Sequence, residues 1–266
     1  MFFPKMGVIA LLLLTACVSA QKPPGFAVDA RPVPLETPGF GGGNLEGYAL
    51  DTDRRVQRGW ASSGTHYHAE RDDTLEISDA AGVVWRATCS VRADGKRRPN
   101  LWLVCLYTSE RPDQSPMTLA LAAESGEPLD GAFLVGDDAW RVVGSRHLDV
   151  NEEVADTVSW VVRRPGEQQW LAWVDHTGWA PKVWRTERLG DDELRRLAPL
   201  FLTFVKVRDA RYLYRSSSGF AAFDDAEPWP AAEGAPERAA HVTRLQVLGL
   251  DGAARVLAGV ARGEAE

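Results

Sequence analysis

The stretch Val84 to Thr108, VWRATCSVRADGKRRPNLWLVCLYT, decides the fold. Two β-prone runs, Val84 to Arg92 and Leu101 to Thr108, flank a polar loop from Ala93 to Asn100 that carries Gly95 and Pro99. Side chains two apart on a strand share a face, so each run has one apolar face. Folding the runs back on each other with Cys89 opposite Cys105 sets Val91 against Leu103 and Ala87 against Tyr107, with Trp85 beyond them. Such facing pairs are the units that stabilise an antiparallel ladder. The pairing predicts a Cys89–Cys105 disulfide, and a loop of this size contributes roughly 3 kcal/mol in the chain-entropy model. The alternative is two buried free thiols. A cysteine metal site is disfavoured, because neither residue has a CxxC spacing or a nearby histidine.

The same alternation extends outward in both directions. Thr74 to Ser78 and Val83 to Ser90 flank the turn Asp79-Ala80-Ala81-Gly82 and read as a hairpin. Met117 to Ala122 reads as a strand, and Phe133 to Val135 and Trp140 to Val143 flank Gly136-Asp137-Asp138. Thr157 to Arg163 and Gln169 to Asp175 flank Pro165-Gly166, and Lys182 to Glu187 adds a further strand. Near the C-terminus, Val242 to Leu250 and Ala253 to Val260 flank Asp251-Gly252 as another expected hairpin, with a helix as the alternative for the Ala-rich second run.

One amphipathic helix stands out from Asp191 to about Val205. Asp191, Asp192 and Glu193 suit the positive end of its dipole. Leu194, Leu197, Ala198, Phe201, Leu202 and Val205 form one apolar stripe at helical spacing. Pro199 is expected to kink or split it. The predicted class is α+β, mainly antiparallel β hairpins with one late amphipathic helix. Trp-Arg recurs at Trp85-Arg86, Trp140-Arg141 and Trp184-Arg185, at spacings too unequal for a propeller or solenoid. Two sub-domains divided near residue 128 remain an alternative to one domain over 46–266.

The N-terminus gives the address. Lys5, the apolar run Val8 to Leu14 and the small pair Thr15-Ala16 have the three-part layout of a signal peptide over residues 1–16. The apolar run is far shorter than the roughly 20 residues of a spanning helix. Leu14-Thr15-Ala16-Cys17 resembles the bacterial lipobox, in which the cysteine is lipidated and becomes the first residue of the mature chain. The resemblance implies a lipid anchor at Cys17, the membrane as partner, and a place in the bacterial cell envelope. Val18, where an Asp would retain an enterobacterial lipoprotein at the inner membrane, favours the outer membrane. The alternative is an ordinary cut after Ala20. Residues 17–45, rich in Pro and Gly, read as a tether whose reach is on the order of 30 Å.

Composition narrows the partners. The chain is 45% hydrophobic and 25% charged, as expected of a globular domain. Removing Lys5 with the signal peptide takes the net charge from -7 to -8. An acidic chain repels phosphate backbones, which argues against nucleic acid as a partner and leaves an envelope protein or a glycan.

No catalytic signature is assembled. The sequence carries no G-x-S-x-G elbow, S-x-x-K, H-E-x-x-H, P-loop or dinucleotide fingerprint. A non-catalytic binding or structural domain is therefore the leading expectation, and no cofactor is implied. His66 and His68, with Glu70, are weak metal candidates because residues two apart on a strand share a face. Asp175-His176, with a serine from Ser62, Ser63 or Ser216 to Ser218, is a weak hydrolase alternative. Asp149, Asn151 and Glu153 resemble the start of a calcium loop, but Val154 stands where that loop needs Gly. Ten tryptophans occur, six of them between Trp140 and Trp184. Trp170 and Trp173 are three apart and cannot both point inward from a regular strand. Trp170, Trp173 and Trp179 are thus candidates for an exposed aromatic glycan-binding face.

Overall fold

The computed structural model describes residues 29–36, 43–62, 66–95, 100–123, 129–148, 154–176, 181–207 and 235–262. Within these, the backbone alone is described at 52–62, 66–70, 93–95, 145–148, 154–158, 235–238 and 259–262.

Among the described residues, twelve strands form one antiparallel sheet. They are β1 (Arg31–Val33), β2 (Gly43–Leu45), β3 (Tyr48–Ser62), β4 (His66–Asp79), β5 (Gly82–Gly95) and β6 (Asn100–Ser109), followed by β7 (Met117–Ala123), β8 (Asp130–Val135), β9 (Asp138–Leu148), β10 (Val154–Arg163), β11 (Ala172–Asp175) and β12 (Lys182–Arg185). From β2 to β12 each strand pairs with its sequence neighbour, and β1 pairs with β12. Short hairpins dominate because turn residues sit where the chain reverses. Gly47, Gly82, Gly136 and Gly166 all take positive φ, the region that costs a glycine nothing.

The central hairpin has the register expected of it. Cys89 lies opposite Cys105, Val91 opposite Leu103 and Ala87 opposite Tyr107. Cys89 and Cys105 form a disulfide, and both are fully buried. β7 pairs with β8 from Met117↔Val135 to Ala122↔Asp130, on either side of residue 128.

The two ends of the strand order also meet. Glu36, three residues beyond β1, exchanges backbone hydrogen bonds with Asn44 of β2 at 3.1 and 2.7 Å. The sheet thus curls round until its first and last members touch, which leaves little open edge at that seam. β1 and β2 fall inside the Pro/Gly-rich stretch expected to be tether alone. Each is only three residues long, too short for a periodic signal, and each buries one apolar side chain, Val33 or Leu45, in the core.

Inside the curl lies α1 (Asp191–Lys206). Consecutive residues of a helix point about 100° apart, and three in a row show the enclosure. Leu202 lies against β2, where a methyl group at Gly43 would stand 3.2 Å from its Cδ2. The Thr203 hydroxyl is 2.7 Å from the Tyr107 hydroxyl on β6. Phe204 stacks on Trp160 of β10, with centroids 4.4 Å apart and planes 7° apart. β2, β6 and β10 are spaced four strands apart in the order, so the sheet touches this turn from three evenly separated sides.

This corrects one expectation about α1 and narrows a second to a helix that is not split at Pro199. Every side chain from Leu197 to Phe204 is buried, not one stripe, because a helix surrounded by sheet has no solvent face to leave polar. The helix also continues through Pro199. The apolar packing around it offsets the hydrogen bond that the proline ring removes.

Two more helices replace the hairpin expected at the C-terminus. α2 (Ala235–Val247) and α3 (Asp251–Arg262) form a helical hairpin against the outer face of β6 to β8. Gly249 ends α2 with φ 69, and the Leu250 amide donates back to the Leu245 carbonyl at 2.9 Å. That is a glycine C-cap, and Asp251 opens the next helix with favourable charge. Leu248-Gly249-Leu250-Asp251 is thus a helix stop and restart. Leu245, Ala253, Ala254 and Leu257 bury against Val104, Ala120, Ala132 and Leu134, so the middle strands are apolar on both faces.

Candidate functional site

Ion pairs and a hydrogen bond lace the start of α1 to the strand ends around it. Asp191 pairs with Arg185 at the end of β12, Glu193 with Arg164 just past β10, and Arg196 with Asp138 at the start of β9. The Gly190 amide donates to the Glu193 carboxylate at 3.1 Å, which satisfies a donor at the helix start. Hydrogen bonding from Arg185 holds the Asp191 carboxyl below the usual range.

Beside this start opens a cavity of about 520 Å³, within the roughly 300–1,000 Å³ range of ligand pockets. Its walls come from elements far apart in sequence. Tyr48 opens β3, Trp85 lies near the start of β5, Met117 opens β7 and Val135 closes β8. Asp113, Gln114 and Ser115 come from the β6–β7 connection, Gly136 and Asp138 from the β8–β9 turn, and Asp192, Arg195 and Arg196 from α1.

One wall is aromatic and fixed. The Tyr48 and Trp85 rings sit 5.4 Å apart, tilted by 58°, and the Trp85 indole donates to the Ser115 carbonyl at 3.4 Å. Burial, then the nearby Asp79 charge, pushes the Tyr48 phenol up. Asp79 is held below the usual carboxylate range by a two-point contact from Arg111 at 2.8 and 2.6 Å. From outside, Arg244 of α2 donates to the Gly136 carbonyl at 2.8 Å and steadies the turn that lines the cavity.

The rim charges divide into committed and uncommitted groups. Arg196 holds Asp138 at 2.8 Å, and Asp113 accepts from the Gln114 amide at 3.2 Å. The side chains of Asp192 and Arg195 make no ion pair or hydrogen bond among the described residues, and Arg195 acts only at longer range on Asp191 and Tyr48. The site can therefore meet charge of both signs beside an apolar wall.

Of the residues singled out from sequence as candidate sites, the described tryptophans lie elsewhere. Trp173 of β11 is buried and stacks on Trp184 of β12, with centroids 6.2 Å apart. Trp170 precedes β11, half-buried, with the Arg163 guanidinium 4.7 Å from its ring. Cys17, Trp179, Ser63, Ser216 to Ser218, Asp149, Asn151 and Glu153 lie outside the described residues. His66 and His68 stand on β4 opposite Ser62 and Trp60 of β3. Asp175 ends β11 opposite Ser159 and Lys182, and His176 follows it. Trp170, Trp173, Asp175 and His176 do not line the cavity. Among the described residues, no group of three His, Cys, Asp or Glu side chains is placed to hold a metal.

The cavity residues were missed because no motif links them. The one local signal was Asp192 and Arg195-Arg196 on the start of an otherwise apolar helix, which reads equally as dipole complement and solvated face.

No protein-family model matches this chain, and no match was found among the curated proteins or the solved structures.

Proposed function

We propose that this is a lipid-anchored bacterial envelope protein, held through Cys17 on the outer membrane, whose domain is a non-catalytic binding module. The observation that carries the binding reading is the cavity beside α1. The core of the curled sheet is filled by α1 and inward side chains, so a ligand is met at this end, where aromatic walls and uncommitted charges converge. The anchor rests on Leu14-Thr15-Ala16-Cys17, and the acidic charge argues against a nucleic-acid ligand.

The test is made in intact envelopes. A photo-crosslinking residue at Ser115, which lines the cavity, should capture an adduct that the same residue at Asn100, at the opposite end of β6 from the Ser109–Trp85 pairing, does not. No adduct at Ser115 would remove the binding reading. A Cys17→Ala variant should lose its lipid label and leave the membrane fraction, and continued labelling would remove the anchor.

A further inference from the structure

Asp192 and Arg195 lie one turn apart on α1, a spacing at which opposite charges commonly pair, yet they do not pair with each other. Both face the cavity, and neither has another ion pair or hydrogen bond among the described residues. Trp85, Met117 and Val135 line the same cavity, and of these Trp85 and Met117 are buried.

We infer that the cavity takes a small amphoteric ligand, an amino acid or short peptide with free termini, whose carboxylate meets Arg195 and whose ammonium meets Asp192. This rests on the binding reading above and names its ligand class. The physical reason is desolvation. A ligand that enters strips water from both charges, and a charge then left without a partner costs more than apolar packing elsewhere returns. An apolar ligand leaves both unpaired, and a ligand of one sign leaves one. A neutral sugar gives hydrogen bonds but no countercharge. A ligand with both signs satisfies both, and Arg195 offers the fork that a carboxylate fits. The apolar strip then receives whatever side chain lies between the termini, and Asp113 can accept from a second cationic or amide donor.

The test is calorimetric titration of the full chain in detergent with alanyl-alanine, its C-terminal amide, its N-acetyl form and maltose. Alanyl-alanine should bind. Amidation of the ligand and Arg195→Gln should each weaken binding about tenfold or more. Combined, they should weaken it no further, because both remove the same contact. N-acetylation and Asp192→Asn should behave likewise. Both residues are exposed, so neither variant disturbs the core. Additive losses, or maltose binding as well as the dipeptide, would overturn the ligand class. Silence with every probe would overturn it too: a persisting Ser115 adduct would then leave the binding reading standing, and a lost adduct would remove both.

Discussion

The Tyr107 hydroxyl lies 2.7 Å from the Thr203 hydroxyl, and Thr203 in turn donates to the Pro199 carbonyl at 2.8 Å. Thr203 therefore accepts from Tyr107, and this short relay joins β6 to the enclosed helix where both residues are buried. It is a polar tie between α1 and the sheet wall in a setting that is otherwise apolar. Tyr107 also packs edge-on against Phe133 of β8. Tyr107→Phe keeps that ring contact and removes one hydrogen bond, at a cost of about 1 kcal/mol. Thr203→Val leaves the Tyr107 hydroxyl buried without its partner, at about 1–3 kcal/mol. Urea unfolding should rank Thr203→Val as the more destabilised of the two. The reverse order would mean that the relay does not run in this direction.

The same burial sets a pH dependence. Burial pushes the Tyr107 phenol far above its ordinary value, and the bond to Thr203 only partly offsets this. In the unfolded chain the phenol titrates near pH 10. Above that pH the unfolded state has lost a proton that the folded state keeps, so stability falls as pH rises. Below it, the contribution is fully present. Unfolding free energies measured between pH 8.5 and 10.5 should therefore fall more steeply for the native chain than for Tyr107→Phe. Parallel slopes would count against the buried phenol.

Gly131 on β8 shows how tightly the sheet is drawn. A Cβ built there would lie 1.9 Å from the Ala120 carbonyl oxygen and 2.9 Å from the Leu121 Cα. Both are backbone atoms of the neighbouring strand, so no rotamer can yield. A glycine inside a strand often marks such a close approach. Gly131→Ala should cost at least the ~1–3 kcal/mol of an overpacked core, seen as a lower midpoint in thermal unfolding. Gly47→Ala, at an open turn with φ 84, should cost less than Gly131→Ala because nothing lies within 4 Å of its built Cβ.

What the sequence revealed follows the range of the physics. The hairpin around Cys89 and Cys105 was legible down to its register, because alternation and the need to bury both cysteines act within 25 residues. The face of α1 that carries Leu194, Leu197 and Phe201 was legible for the same reason. That Leu200, Thr203 and Phe204 are buried too was not, since only the curl of the sheet around them decides it. β1 and β2 are too short to show a period. In the C-terminal hairpin, Asp251-Gly252 fits a β-turn as well as a helix start, and the deciding residue is Gly249 with its C-cap bonds. The cavity was the least legible of all. Tyr48, Trp85, Asp113 and Arg195 meet only because the ends of several strands gather at the start of one helix.

The interior also holds charge. Arg71 and Asp73 share the buried face of β4 with Leu75 and Ile77, and the Arg71 Nε donates to Asp73 Oδ2 at 2.8 Å. Asp73 faces Cys89 across the ladder and Arg71 faces Val91, so the pair sits beside the disulfide. Removing water from both ions is expensive, and their attraction returns that cost only while both are present. Asp73→Asn or Arg71→Met should each destabilise by up to about 3–5 kcal/mol, because each removes one ion of a buried pair from the other. The double replacement Arg71→Met with Asp73→Leu should be destabilised by less than the sum of the single changes, and a double-mutant cycle in urea should show that coupling. Additive losses would mean that the two ions are held by their other surroundings and not by each other.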